Sequence, residues 1–538
     1  MKGHDYDVAH STSPLLWRGR ERPYAPFFTS ALLMCMVLFI IYPHYQYYVD
    51  PDGVAYLTIS KRYAAGDIQR AINGYWSPWA CWLTAGLIKV GFGAIPAGTI
   101  INTLAAIGFL CISQSFFLKF NITRQLQWLL NITLALFLCY AVFWQSFDDL
   151  WECFFLLCTL RLILGDEFKS KPLLWVACGL LGTLAYFAKA YSFPFFILNT
   201  ICCVYFISKD DKARWIKISL TAVGSMILSS LPWIWALHNK YGLWTTSTAG
   251  TLNMSWYLVG HPHWKPGISV LIPPPYPDSP YYWEDPWYAN GDTPHFWDSW
   301  HLFGLQVLRV GLNIWKFLLS NLQLSIFFPV IFIIAKLSLF HRKVKPLFTG
   351  PIRIVVLSFL LFPLGYLLIN FESRYLWYML PLGMVIGALF IQKYLTPGSS
   401  IFRKVIYLFT ISFLIYPLWQ MGHIYNAGKM EYNWAAELKK RNIKGSFTSM
   451  CCPGVATRST ATFAYFSGCT FFAIPNNEVS NQSFISEMRR YNIKYYIACD
   501  YYSWNYGFLS PMTDENGIPF PMILSPEHEN AGVLLINP

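Results

Sequence analysis

The strongest limit on how this chain can fold is a series of apolar runs, each close to the roughly 20 residues that cross a bilayer as a helix. They fall near residues 26–44, 96–118, 126–144, 149–165, 173–188, 193–208, 216–238, 321–340, 354–370, 375–392 and 404–421. A backbone in hydrocarbon must satisfy its own hydrogen bonds, so each run reads as a helix and the chain as an α-helical polytopic membrane protein. Composition agrees: 55% of the 538 residues are hydrophobic and 13% charged, whereas a soluble domain carries about a quarter charged residues. The net charge of +12 invites a nucleic-acid reading. Lys and Arg are instead divided among short loops with no single patch, which argues against a nucleic-acid partner.

One further run is ambiguous. SPWACWLTAGLIKVGFGA (77–94) is apolar but short and interrupted by Gly, which suits a helix lying along the interface. If it does not cross, the loops 119–125, 161–171, 208–217, 341–353 and 392–404 share one side, and all are short and basic. That is the cytoplasmic signature. If it crossed, every later loop would change sides and the bias would invert. About eleven spans are therefore expected, with residues 1–25 as a cytoplasmic N-terminal segment. No small-residue cleavage site follows the first run, so it reads as a retained helix. The arrangement is that of a multi-pass protein of the bacterial inner-membrane type, with its acids gathered in the extracytoplasmic loops.

The membrane part, 26–421, carries two long extracytoplasmic segments, 45–95 and 239–320. The second contains IPPPYPDSPYYWEDPWYANGDTPHFWDSW, whose density of Pro, Trp and Tyr favours a packed cover over regular structure. HLFGLQVLRVGLNIWKFLL (301–319) has amphipathic spacing and reads as an interfacial helix leading into the span at 321. Beyond 421, GSFTSM, CTFFAIP, IKYYIACD and GVLLIN are short β-type runs, and MRRYN closes a helix. Residues 422–538 are expected to form a small extracytoplasmic α/β domain. It lacks a Gly-rich phosphate fingerprint and a nucleophile elbow. The 13 cysteines show no metal-ligand spacing. Cys451, Cys452, Cys469 and Cys499 lie in the tail, where a disulfide requires an oxidising compartment.

YYVDPDGVAY (47–56) follows directly on the first span and places Asp50 and Asp52 where the chain first meets water. Asp-Pro-Asp-Gly is also an ordinary turn. Here, however, it leads into AYLTISKRYAAGD, a helix on which Tyr56, Ile59 and Tyr63 share a face, so that Asp52 is aimed back at the bundle. A second acidic cluster, SFDDLWE, brings Asp148 and Asp149 to the same side. Lys189 in YFAKAYSFP and Arg374 in NFESRYLWYMLP stand at span ends there. Taken singly, each cation reads as a snorkelling anchor, or for Arg374 as a partner of Glu372. Two cations converging with acids suit a phosphorylated group instead. A carboxylate that accepts a hydroxyl proton, beside cations that steady a departing phosphate, is the equipment for group transfer. An apolar surround suits a donor that is itself a lipid phosphate. The residues thus point to glycosyl transfer from a polyprenyl-phosphate sugar. In the long loop, His261, His263, Glu284 and Asp285 are the candidates for the acceptor entrance. No metal motif is evident, although an acid pair suits a divalent ion, and no cofactor is assigned.

The chain resembles the GT-C-fold glycosyltransferases, the superfamily of dolichyl-phosphate-mannose protein mannosyltransferases and lipid A aminoarabinose transferases. The matching pieces are DPDGVAYLTISKRYAAGD, GYWSPWACWLTAGLIKVGFG, SFDDLWECFFLL, GLLGTLAYFAKAYSFPFF, LPWIWALHNKYGLWTTSTAGTLNMSW and FESRYLWYMLPL, in the family's order. The resemblance implies a catalytic aspartate in the first outer loop. Alignment on D-x-x-x-Y puts Asp52 there, with Asp50 in reserve. It also implies that 77–94 is a juxtamembrane element, that Lys189 and Arg374 contact the carrier phosphate, and that Asp148 or Asp149 is the acid of the second outer loop. The chain departs from the aminoarabinose transferases at Ala55, where they carry Arg, and at Trp76-Ser77, where they carry Glu-Lys. It departs from the mannosyltransferases at Asp52-Gly53, where they carry Asp-Glu.

Together these readings describe an inverting transferase with Asp52 as general base and a lipid, glycan or protein acceptor. The alternative is a transporter or flippase of a lipid-linked substrate. Such proteins place ionisable groups near mid-membrane and often show repeated halves, neither of which is evident here.

Overall fold

The computed structural model describes residues 23–144, 147–259, 271–289, 293–340, 349–396, 398–449, 456–472, 481–499, 521–524 and 531–536. Helices Ala25–Tyr45, Ala94–Lys119, Arg124–Phe143, Lys212–Tyr241, Trp300–Leu324 and Ser400–His423 are each long and apolar enough to cross a membrane. Shorter apolar helices, among them Pro172–Ala188, Ser192–Ile207 and Met379–Tyr394, complete the bundle. Its core forms around Arg124–Phe143, on which Leu126, Leu130, Leu134 and Leu138 repeat every four residues and are fully buried.

The segment 77–94 is the twelve-residue helix Pro78–Lys89, too short to span. It packs on helix Pro51–Ala65, where the Cys81 thiol lies 3.7 Å from the Tyr56 carbonyl oxygen. The loops that share a basic character meet on one face. Lys119 pairs with Asp166 at 2.9 Å, and the Thr123 amide donates to Gln392 at 3.0 Å.

The segment 301–340 forms two helices. The segment expected as an interfacial helix lies in the 25-residue helix Trp300–Leu324, which by length and composition alone could also cross a membrane. Part of its polar face is used within the protein. Gln306 and Asn313, seven residues apart on one face, donate to the carbonyls of Leu368 (2.5 Å) and Leu367 (3.0 Å). These carbonyls belong to the end of the short helix Leu364–Leu368, which Pro363 separates from Ile352–Leu361. The polar stripe thus satisfies a neighbouring helix terminus. The break expected near 321 falls at Ser325, whose hydroxyl accepts from the Phe327 amide at 3.1 Å and starts the next helix, Phe328–Phe340.

The C-terminal region builds a five-stranded mixed sheet. Its strands are β1 (Ser446–Thr448), β2 (Thr470–Phe472), β3 (Tyr495–Cys499), β4 (Met522–Leu524) and β5 (Ala531–Leu535), in the order β2-β1-β3-β5-β4. β1 runs parallel to β2 and β3, with Phe447 opposite Phe471 and Tyr495, while β5 is antiparallel to β3 and β4. Helices Ala456–Ser467 and Asn481–Arg490 supply the crossovers that parallel neighbours require. Cys469 is a buried free thiol, and Cys451 and Cys452 lie outside the described residues.

This region packs on the connections near Asp52. Thr462 donates to the Val49 carbonyl at 2.7 Å, and the Phe471 amide at the edge of β2 donates to the Pro280 carbonyl at 2.7 Å. Gly428, at φ +83°, lies against the Tyr47 carbonyl, where an added Cβ would sit 1.9 Å from the oxygen. Gly428→Ala is expected to cost at least about 1 kcal/mol from left-handed backbone alone, before the clash is counted. Thermal unfolding of the purified variant in detergent should show a lowered midpoint; an unchanged one would contradict this close approach.

Candidate active site

The Asp-Pro-Asp-Gly turn resolves into two different roles. Asp50 is the N-cap of helix Pro51–Ala65, and its carboxylate accepts from the Gly53 amide at 2.6 Å. Pro51 occupies the first helical position, where its missing N–H costs nothing. Asp52, in the first turn, turns its side chain the other way. Its Oδ2 accepts from Arg374 Nη2 at 2.9 Å, and its Oδ1 accepts from the indole N–H of Trp283 at 3.1 Å.

Four helix ends meet at this point. Asp148 and Asp149 open helix Asp149–Ile163. Lys189 closes helix Pro172–Ala188 in extended backbone, and Arg374 sits in the 3-10 turn Ser373–Leu376. Lys189 is ion-paired with Asp149 and lies 3.4 Å from Asp148. Arg374 distributes its three nitrogens over three acids: Nη2 to Asp52 at 2.9 Å, Nε to Glu372 at 2.8 Å, and Nη1 to Asp149 at 3.6 Å. Asp52, Asp149, Lys189 and Arg374, separated by up to 322 residues, therefore form one continuous network.

Burial disfavours the Lys189 ammonium, but Asp148, Asp149 and Glu152 outweigh it and hold its pKa well above the ordinary lysine value. Burial likewise works against the Arg374 guanidinium, and Glu372 and Asp149 more than restore it. Both cations stay charged. Tyr375 lies beneath them, its ring 4.5 Å from Lys189 Nζ and its hydroxyl 3.2 Å from Glu372. Behind Asp149, Glu152 accepts from Ser192 at 2.9 Å and from Tyr366 at 3.3 Å.

The long-loop acids are not part of this network. Glu284 is ion-paired with the buried Arg62, and its backbone carbonyl accepts from Asn73 at 2.7 Å. Asp285 pairs with Lys240 at 2.8 Å and accepts from the Tyr241 hydroxyl at 3.1 Å. Both acids fasten the loop, to helix Pro51–Ala65 and to the end of helix Lys212–Tyr241. His261 and His263 lie outside the described residues. Among the described residues, no group of three or more His, Cys, Asp or Glu side chains is arranged to hold a metal ion.

Trp283, Glu152 and Tyr375 touch this network without having stood out in the sequence. Trp283 is one ring in an aromatic-rich loop. Glu152, one helical turn on from Asp148 and Asp149, could have been found from its i, i+3 and i, i+4 spacing to them.

No family model matches the sequence, and no curated protein matches it. Solved structures do. ArnT from Cupriavidus metallidurans bound to undecaprenyl phosphate is similar with a TM-score of 0.56 at 12% identity, over 95% of this chain and 97% of that one. The same protein in the apo state is similar with a TM-score of 0.56 at 11% identity, over the same shares. This chain has the GT-C fold. Within this fold, Asp52 and Asp149 stand at the starts of helices Pro51–Ala65 and Asp149–Ile163, and Lys189 and Arg374 meet them at the same end of the bundle.

Proposed function

We propose that this GT-C protein moves a sugar from a polyprenyl-phosphate donor to an extracytoplasmic acceptor hydroxyl with inversion. One observation carries the reading: a carboxylate, Asp52, lies 2.9 Å from a guanidinium, Arg374, whose network extends to a second cation, Lys189, at the mouth of an apolar bundle. The acceptor hydroxyl oxygen bonds to the anomeric carbon from the face opposite the phosphate. The bond from that carbon to the phosphate oxygen breaks, and its electron pair leaves on the phosphate. The hydroxyl proton passes to Asp52, and Lys189 and Arg374 stabilise the charge on the leaving group. Each Asp52 oxygen already accepts one hydrogen bond and retains room for a second, so the base can engage the acceptor without losing its two donors.

A polyprenyl carrier is supported by the structurally similar ArnT, which holds undecaprenyl phosphate. The basic loops on the opposite face support, through the positive-inside bias, an extracytoplasmic site with the tail domain on the same side. Lys189 also reaches Asp149 and Arg374 also reaches Glu372, so the arriving phosphate exchanges for those carboxylates and leaves the Arg374–Asp52 contact in place.

The test is release of free polyprenyl phosphate from a radiolabelled lipid-linked sugar by the purified protein in liposomes. Release coupled to appearance of the label on an acceptor is expected. Movement of the intact donor across the bilayer without cleavage would overturn the proposal in favour of a transporter.

A further inference from the structure

We propose that Trp283 is a positioning residue for the Asp52 carboxylate, so that the long loop acts on the base as well as covering it. This rests on Asp52 being the base. An aspartate on the first turn of a helix can rotate its carboxylate about the terminal torsion. Here two donors from different parts of the chain fix it: Arg374 holds Oδ2 at 2.9 Å and the Trp283 indole holds Oδ1 at 3.1 Å. The indole N–H is a donor only, so it orients the carboxylate without competing for the acceptor proton.

The indole is itself held firmly. Its ring stacks on Trp256 with centroids 5.4 Å apart and meets Tyr75 edge-on at 5.3 Å. Its backbone carbonyl accepts from the Trp76 indole at 2.8 Å. On one side Tyr281 donates to the Pro51 carbonyl, one residue from Asp52. On the other, Glu284 is bound by Arg62 and by Asn73. The loop is thus pinned before, at and after Trp283 to the helix that carries the base. Such anchoring exceeds what a cover alone requires, and it supplies the fixed geometry that proton transfer demands.

The test uses Trp283→Phe, which keeps an aromatic ring and removes the N–H, in the full chain reconstituted in liposomes with the radiolabelled polyprenyl-phosphate sugar used above. A fall of about tenfold in kcat is expected, with donor KM changed by less than about twofold, because only the transition-state geometry is disturbed. Loosening of the loop alone would raise KM instead. Asn73→Ala, which loosens the same turn, should then cost little further in the double variant. A readout independent of turnover is the 15N-indole resonance of Trp283, identified by its absence from Trp283→Phe. It should move in Asp52→Ala, which removes the acceptor. If Trp283→Phe turns over at the parental rate while Asp52→Asn is inactive, the positioning role is overturned and the base assignment stands. An unmoved indole resonance in Asp52→Ala also overturns it. If Asp52→Asn is itself fully active, the base assignment fails first.

Discussion

Asp52→Asn is expected to lower transfer by about 10²- to 10⁴-fold, the usual worth of a positioned general base. Asn fills the same space, and its carbonyl oxygen can still accept from Trp283 or Arg374, so the turn at Asp50–Gly53 and the loop above it should persist. Arg374 retains Glu372 and Asp149. Donor binding should therefore survive while turnover does not. The decisive comparison sets kcat against donor affinity in purified protein of matched thermal stability. Parental kcat in the variant would remove Asp52 from the chemistry and leave the ion-pair network as a structural device.

Arg374 should respond differently, because it joins the acids. Removing one partner of a buried ion pair costs about 3–5 kcal/mol. Arg374→Met would leave Asp52 and Glu372 without their guanidinium and Asp149 with Lys189 alone, so the variant should be poorly stable as well as inactive. Arg374→Lys is the sharper test. A single ammonium cannot reproduce three nitrogens directed at three carboxylates. We expect it to fold with a lowered thermal midpoint and a donor KM raised at least about tenfold, since the phosphate loses its bidentate partner. A Lys variant with parental KM and midpoint would show that charge alone suffices there.

The contrast between these side chains shows how far the sequence could be read. Apolar runs and basic loops exposed the bundle because both are local signals, and the short β-type runs exposed the tail for the same reason. Asp52, Lys189 and Arg374 were visible as charges at helix mouths, where ionisable groups in an apolar chain draw the eye. Their mutual pairing was not, since nothing periodic links positions 52 and 374. The partners of Gln306 and Asn313 were hidden for a related reason. A polar stripe looks the same whether it faces water or a neighbouring helix end, and only the kink at Pro363 decides between them. Trp283 was hidden because one indole among many carries no pattern, and Glu284 and Asp285 looked available because their partners Arg62 and Lys240 are distant in the chain.

The order in which these parts are synthesised has its own consequence. Asp52 lies 322 residues ahead of its guanidinium partner, and Val49 lies 413 residues ahead of the threonine that clasps it. A ribosome therefore delivers Asp52 to the membrane long before either exists. Products of premature termination upstream of residue 374 carry Asp52 without its counter-ion. The Asp52 contact waits for residue 374, and the clasp on Val49 waits for residue 462.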